Sequence, residues 1–198
     1  KYPVQRNSVG LTEQTRQFFI DDREHPYRTA EGTSFSWLRS RVLGGRSILW
    51  GRVSMRWSDL DFEANLRDGI AVDWPIRYAD IAPWYEHVER FVGISGEALG
   101  LPHLPDSIFQ KPMPLSCAEE QVRDGLRRAY GGDRILTIGR TAVLTEPLNG
   151  RAPCHYCNLC SRGCSTFSYF NSVHATLPAA TRTGRCTIRP HSVVRAVH

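Results

Sequence analysis

Four cysteines lie close together toward the end of the sequence, in the spacing C-x2-C-x2-C-x3-C. Thiolate sulfur is a ligand for zinc and for iron–sulfur clusters, and two thiolates three residues apart in a loop can reach the same metal centre. Two further cysteines stand alone and are expected to be packed thiols. The clustered residues are Cys154, Cys157, Cys160 and Cys164, and the isolated ones are Cys117 and Cys186.

Spacing alone leaves three interpretations of this cysteine run open. First, four sulfurs could wrap one cuboidal iron–sulfur cluster; the run resembles that of bacterial ferredoxins, although Ser165 replaces their usual Pro and no second run exists. Second, the four thiols could be packed in a tight loop without a metal. Third, they could hold zinc, with His155 and His174 as further candidate ligands. Zinc ranks last because zinc ribbons separate their Cys pairs by longer loops.

The composition excludes several classes of protein. A hydrophobic content of 41% is enough for a packed core, so a disordered chain is not expected. The longest apolar stretches are far too short for a transmembrane segment. The net charge is +5, but Arg residues alternate with Asp and Glu along the chain, so no nucleic-acid partner is expected. Clustered rather than dispersed cysteines favour metal ligation in a reducing compartment over a disulfide scaffold.

Two adjacent glycines, Gly44 and Gly45, lie between apolar runs in "RVLGGRSILWG". Glycine is the residue that tolerates a left-handed turn or a very close approach of the backbone to another group. The backbone is therefore expected to turn here or to approach another group closely.

Local signals predict an α and β mixture with long connections. Asp80 is expected to cap a helix, with Pro83 in its first turn and Gly93 at its end. Its apolar side chains recur at helical spacing and are expected to pack in the core. These side chains are Ile81, Trp84, Tyr85, Val88 and Phe91.

Further elements follow along the chain. Ser116 and Glu119 form a capping-box pattern for a second helix that ends at Gly131. The segment "RILTIG" reads as a short strand, "NSVHATLPAATRTG" as a helix, and "CTIRPHSVVRAV" as a pair of strands.

Four segments, taken in order, resemble the glucose-methanol-choline (GMC) oxidoreductases, in particular a bacterial Cys-rich sugar or alcohol dehydrogenase-like branch. The resemblance covers roughly residues 38–198. The segments are "RVLGGRSILWG", "DWPIRYADIAPWYEHVERFVGISG", "CHYCNLCSRGC…NSVHATLPAA" and "RCTIRPHSVVRAV".

The resemblance implies a set of cofactor-binding residues. The Gly-Gly segment would pass close to FAD, and the backbone of a Val in the last segment would contact the adenine. In some relatives a His links covalently to the flavin; Leu49 occupies that place here, so FAD is expected to be non-covalent. Arg46 departs from the small residue common in the family and could neutralise a phosphate or point to solvent. The implied residues are Gly44, Gly45, Arg46, Ser47, Trp50, Gly51 and Val194.

The resemblance also implies the fold and the extent of the domain. The fold class is α/β (α+β as a fragment), part of an FAD/NAD(P)-binding Rossmann-like domain with a substrate-domain segment. Residues 1–198 would be a fragment of the N-terminal FAD-binding domain, without the first βαβ fingerprint and the C-terminal catalytic domain. Lys1 is not an initiator Met and Met55 is the first Met, which also indicates a fragment or a processed product.

The implied activity is oxidation of the CH–OH group of a small alcohol or sugar. A His would accept the hydroxyl proton while hydride passes to the flavin, but that His would lie outside these residues, so no catalytic residue is assigned. If the cysteines held iron, electrons could leave through the cluster to an acceptor protein, a quinone or a cytochrome. An iron–sulfur electron-transfer module and a zinc-stabilised interaction domain are the alternative functions.

Overall fold

The computed structural model describes residues 10–197, which divide into two compact units. Among these residues, the first unit contains 10–51, 157–165 and 171–197, and the second contains 52–156 and 166–170. The chain therefore leaves the first unit twice and returns to it twice. None of the described helices is long and apolar enough to cross a membrane.

Most of the described residues lie in turns and irregular segments, and the regular structure is five helices and one small parallel sheet. The strands are β1 (Ile94–Ser95) and β2 (Phe109–Gln110), which pair in the register Ile94 with Phe109 and Ser95 with Gln110. Short 3-10 turns lie at Arg16–Phe18, Gly45–Ile48 and Cys160–Arg162. The helices are α1 (Asp59–Phe62), α2 (Ala64–Asp68), α3 (Tyr78–Val92), α4 (Cys117–Tyr130) and α5 (Thr176–Arg182). The Rossmann-like α/β architecture stays a prediction.

Helix α3 begins two residues before the predicted cap. Arg77 is extended, and its backbone N–H donates to the Asp80 carboxylate at 2.8 Å, so Asp80 serves the helix from its third position. Gly93, with φ 78°, follows the last helical residue as predicted. The prediction of a fully packed apolar face is wrong for two members: Trp84 is 67% exposed and Val88 is 55% exposed. In the described residues nothing buries that side of the helix.

Helix α4 matches its sequence signals closely. The Ser116 hydroxyl accepts from the Glu119 backbone N–H, and the Glu119 carboxylate accepts from the Ser116 backbone N–H at 2.7 Å. Gly131 takes the left-handed conformation that ends the helix, with φ 59°. Both ends of α4 are therefore fixed by local chemistry.

The second unit has its core around β1 and contains buried arginines, among them Arg56. The side chains of Phe62, Ile94 and Leu144 form part of its core. Arg56 makes a two-point contact with Glu89 of α3, with Nε donating to Oε1 at 2.8 Å. Because both charges are buried and paired, this contact fixes α3 against the preceding segment.

The predicted strand "RILTIG" is absent. Instead the chain makes isolated bridges just after it, where Thr141 pairs with Ser95 and with Val53. Arg140, the residue that follows the segment, is buried and donates to the Pro105 carbonyl at 2.7 Å and to the Asp106 carboxylate at 2.8 Å. The hydrogen bonds of the Arg140 side chain thus hold the loop at Pro105 and Asp106 against this segment, where a strand would have used backbone pairing.

In the first unit, α5 is shorter than the predicted helix. Residues 172–175 form a turn before the helix, and the Asn171 side chain accepts from the His174 backbone N–H at 3.0 Å. The predicted strand pair in the segment 186–197 is also absent from the described residues, which are irregular there.

Candidate functional site

The first unit contains a cleft of about 1200 Å³ whose described walls come from three segments far apart in sequence. They are residues 17–20, residues 41–44 and residues 189–194. The cleft therefore brings together Gly44 and Val194, which the family resemblance places on the flavin and adenine sides of FAD. The other cofactor-binding residues of the prediction are not part of its described lining.

Gly44 forms a tight corner at the edge of this cleft. Its φ is 86°, a left-handed value, and it precedes the 3-10 turn Gly45–Ile48. A Cβ atom on residue 44 would lie 2.7 Å from Cγ2 of Val173, closer than non-bonded carbon atoms approach. Two independent reasons therefore favour glycine at position 44: the left-handed backbone angle, and the lack of space for a Cβ atom beside Val173.

Ser47 ties the same turn to the segment before α5. Its hydroxyl donates to the Gly44 carbonyl at 2.6 Å and accepts from the backbone N–H of Ser172 at 3.0 Å. One side chain thus closes the turn on itself and links it to a segment 125 residues later in the chain. This hydroxyl has a positioning role in the structure.

The cleft combines positive charge with apolar surface. Arg41 and Arg189 line it, beside the apolar side chains of Val42, Leu43 and Val194. Arginine recognises phosphate oxygens through a planar set of N–H donors. A ligand with an anionic group and an apolar ring system suits such a lining. FAD, which carries a pyrophosphate between two ring systems, fits this donor set.

The remaining residues of the predicted site have individual environments. Arg46 is exposed and its Nη1 donates to the Leu38 carbonyl at 2.6 Å. Gly45 has φ 53° and open space around it, and Gly51 also has open space where a Cβ would lie. Trp50 is half-buried. These four residues stay predicted cofactor contacts.

Sequence reasoning missed the two arginines of the cleft and the wall formed by residues 17–20. The available signal was position: Arg41 opens the Gly-Gly segment and Arg189 lies five residues before Val194. The segment at 17–20 carried no such signal beyond its apolar character. Its place in the cleft depends on tertiary structure, including the hydrogen bond from the Ile20 N–H to the Arg39 carbonyl at 3.1 Å.

The four clustered cysteines are all half-buried. Cys154 belongs to the second unit, where its backbone N–H donates to the Leu144 carbonyl at 2.8 Å, and the other three belong to the first unit. The Tyr156 backbone N–H donates to the Cys154 sulfur at 3.3 Å. Across residues 10–197, no three His, Cys, Asp or Glu side chains are grouped as a metal site would need. The predicted metal site stays a prediction.

The backbone of the cysteine run departs from common conformations. Tyr156 and Asn158, on either side of Cys157, both have φ 56°, and Gly163, just before Cys164, has φ 106°. Left-handed residues other than glycine are uncommon and mark a tightly wound loop. The prediction that Cys117 is a packed thiol is wrong, because it is the exposed first residue of α4; Cys186 is half-buried.

Comparison with known proteins finds relatives at low identity over part of their length, and no family model matches the chain. The chain is 32% identical over 159 residues to 6'''-hydroxyparomomycin C oxidase of Streptomyces lividus. The aligned residues are 77% of this chain and 28% of that relative. It is 33% identical over 143 residues to paromamine 6'-oxidase of Streptomyces fradiae, and the aligned residues are 70% of this chain and 24% of that relative.

A third relative extends over nearly the whole chain. The fructose dehydrogenase large subunit of Gluconobacter japonicus is 26% identical over 192 residues, which are 91% of this chain and 33% of that protein. The chain thus spans between a quarter and a third of the length of these curated relatives. Over most of its length, it is similar to one segment of larger oxidases and dehydrogenases.

Proposed function

We propose that this chain is part of an FAD-dependent oxidoreductase of the GMC family that oxidises the CH–OH group of an alcohol or a sugar. The observation that carries the proposal is the cleft of the first unit. Gly44 and Val194, which the resemblance pairs as cofactor contacts, lie 150 positions apart in sequence and line the same cleft. Two arginines of that cleft supply the positive charge that a pyrophosphate needs.

The similarity to larger oxidases and dehydrogenases supports the same assignment. Two of these relatives are named as oxidases and one as a fructose dehydrogenase. Their names agree with a substrate that carries hydroxyl groups.

In this proposal the chain binds the cofactor and leaves the substrate chemistry to other parts of the enzyme. Arg41 and Arg189 would hold the pyrophosphate, and the backbone at Gly44 and Val194 would lie against the rest of the dinucleotide. Bound FAD would supply the hydride acceptor for the carbon of the CH–OH group. The base that removes the hydroxyl proton is proposed to lie outside these residues.

The test replaces the backbone donor at Val194. Val194→Pro removes the N–H without changing charge, and we expect FAD binding to weaken roughly three- to tenfold, the value of one hydrogen bond. Val197→Pro is the matched control, since Val197 is exposed and outside the described lining of the cleft. The measurement is FAD affinity, from flavin fluorescence, in protein expressed from its complete gene. Equal affinity in both variants and the parent would contradict the assignment.

The cysteine run supports a second candidate function, electron transfer through an iron–sulfur cluster. The specific observation is the hydrogen bond from the Tyr156 N–H to the Cys154 sulfur, a kind of contact that tunes cluster potentials. The cluster would pass electrons from the flavin to an acceptor protein, a quinone or a cytochrome. The cluster would carry electrons away from the flavin, and the flavin would still accept the hydride from the substrate.

Metal analysis of anaerobically purified protein separates the interpretations of the run. Iron with acid-labile sulfide supports the cluster, stoichiometric zinc supports a structural zinc site, and neither supports packed thiols. Cys157→Ser should remove the visible absorption of a cluster, while Cys117→Ser, outside the run, should retain it. Full iron content and unchanged colour in Cys157→Ser would exclude the cluster.

A further inference from the structure

Three arginines converge on a small pocket in the second unit, at the end of α4. Arg123 and Arg127 lie one turn apart on that helix, and Arg134 follows the Gly131–Gly132 turn after it. The pocket has a volume of about 120 Å³. It uses no residue of the cleft in the first unit and stands apart from the proposed FAD function.

The positive charge of this pocket is weakly compensated. Arg123 lies 3.9 Å from Glu120, and Arg127 lies 3.9 Å from Asp124, both beyond hydrogen-bond distance. Among the described residues, the buried Nε of Arg123 has no hydrogen-bond partner. The guanidinium groups therefore retain N–H donors for an incoming acceptor.

Arg134 is held in place without being neutralised. Its guanidinium lies 5.0 Å from the centre of the Tyr130 ring, which orients the cation while leaving its edge donors available. Gly132 also lines the pocket and has open space where a Cβ would lie. A ligand can therefore approach the backbone at this point.

One carboxylate opposes anion binding. Glu97 lines the pocket, and its Oε2 accepts from the Thr137 hydroxyl at 3.0 Å. The end of α4 adds a partial negative charge from its last carbonyl groups. Three arginines against one carboxylate leave the described lining net positive, but these opposing charges predict weak binding.

We propose that this pocket binds a phosphoryl group. A volume of 120 Å³ equals that of about four water molecules in the liquid, which suits an ion of five heavy atoms. Arginine forks match tetrahedral oxyanions in both geometry and charge. Its source is either free phosphate or the terminal phosphoryl group of a phosphate monoester.

The experiment titrates the whole chain with inorganic phosphate at low ionic strength and measures heat of binding. We expect saturable binding in the parent, about fivefold weaker in Arg123→Gln and in Arg134→Gln, the effect of one charge-assisted hydrogen bond at a half-exposed site. Arg128→Gln is the matched control because it removes the same charge from α4 outside the described pocket lining. It should bind phosphate as the parent does.

A second variant works in the opposite direction. Glu97→Gln keeps an acceptor for Thr137 and removes the opposing charge, so phosphate binding should become tighter. Loss of folding cannot produce tighter binding. Phenyl phosphate in place of inorganic phosphate distinguishes the sources: comparable or tighter binding indicates a monoester end, and loss of binding indicates the free ion. Absence of binding by both ligands, or an equal loss in Arg128→Gln, would overturn the proposal.

Discussion

Gly44 and Gly45 are neighbours with the same side chain but different constraints. Both have positive φ, 86° and 53°, yet only Gly44 faces another group where a Cβ would lie. Gly44→Ala should therefore lower the free energy of unfolding by about 2 kcal/mol more than Gly45→Ala, because overpacking adds to backbone strain. Denaturant unfolding of the two variants measures the difference.

The difference in stability between Gly44→Ala and Gly45→Ala measures the effect of the contact with Val173. Adding Val173→Ala to Gly44→Ala should recover part of the loss, since the methyl group that collides is then absent. An equal loss in Gly44→Ala and Gly45→Ala would show that the contact contributes nothing.

Asp106 gives the second unit a dependence on pH. Burial by itself raises the pKa of this carboxyl, but the backbone N–H groups of Leu99 and Gly100 and the Arg140 guanidinium together hold the pKa below its ordinary value. A lowered pKa in the folded state contributes stability above the unfolded pKa, about 3.9. That contribution should disappear as the pH falls through the folded value.

Urea unfolding at a series of pH values tests this effect. Asp106→Asn should lower stability at neutral pH, because the new amide faces the Gly100 N–H, and should flatten the loss of stability in acid. Asp133→Asn is the control, since Asp133 is exposed, and should retain the acid dependence of the parent. An unchanged acid profile in Asp106→Asn would contradict the assignment.

Helix α3 is anchored to the second unit by one buried ion pair. Glu89 accepts from Arg56 and from the Ile108 backbone N–H at 3.0 Å, and Arg56 also donates to the Tyr78 hydroxyl at 2.8 Å. Contact with Glu89 raises the pKa of Arg56, so this arginine stays charged. Glu89→Ala leaves that charge buried and should cost about 3–5 kcal/mol of stability.

Glu86 provides the matched control on the same helix. It is half-exposed and lies 4.0 Å from Arg90, so Glu86→Ala should change the unfolding free energy by about 0.5 kcal/mol or less. Thermal and denaturant unfolding of both variants measure the contrast. Equal effects would mean that burial does not set the value of the Arg56–Glu89 pair.

Helix boundaries were predictable where they depend on neighbours in sequence. The capping box at Ser116 and the left-handed Gly131 define α4 because each acts within one turn. The absent strand at "RILTIG" was not predictable, since the buried Arg140 clamp depends on the loop near Asp106. The exposure of Trp84 was not predictable either, because periodicity identifies an apolar face of a helix but not which element covers it.

The candidate site was predictable only in part. The resemblance identified Gly44 and Val194, which the cleft brings together, because the motif order carries information about distant positions. Arg41 and Arg189 were not identified, since their approach depends on how three distant segments fold around one space. For the cysteines, spacing alone does not determine how the loop is wound.

At the scale of the whole molecule, the proposed FAD site predicts that FAD stabilises the folded chain. A ligand at about 100 times its dissociation constant adds about 2.7 kcal/mol, so the melting temperature should rise with FAD concentration. Riboflavin, which has no pyrophosphate, should give a smaller rise, because it does not engage Arg41 and Arg189. Equal shifts with both ligands would remove these arginines from the proposed site.

The order in which the cleft is assembled follows from its walls. Residues 41–44 are synthesised before residues 189–194, with roughly 145 residues between them. At about 5–20 residues per second, a ribosome needs roughly 7–30 seconds to make that interval. The cleft therefore lacks the wall formed by residues 189–194 while the ribosome synthesises the second unit. A cofactor held by both walls can bind only after residues 189–194 have been synthesised.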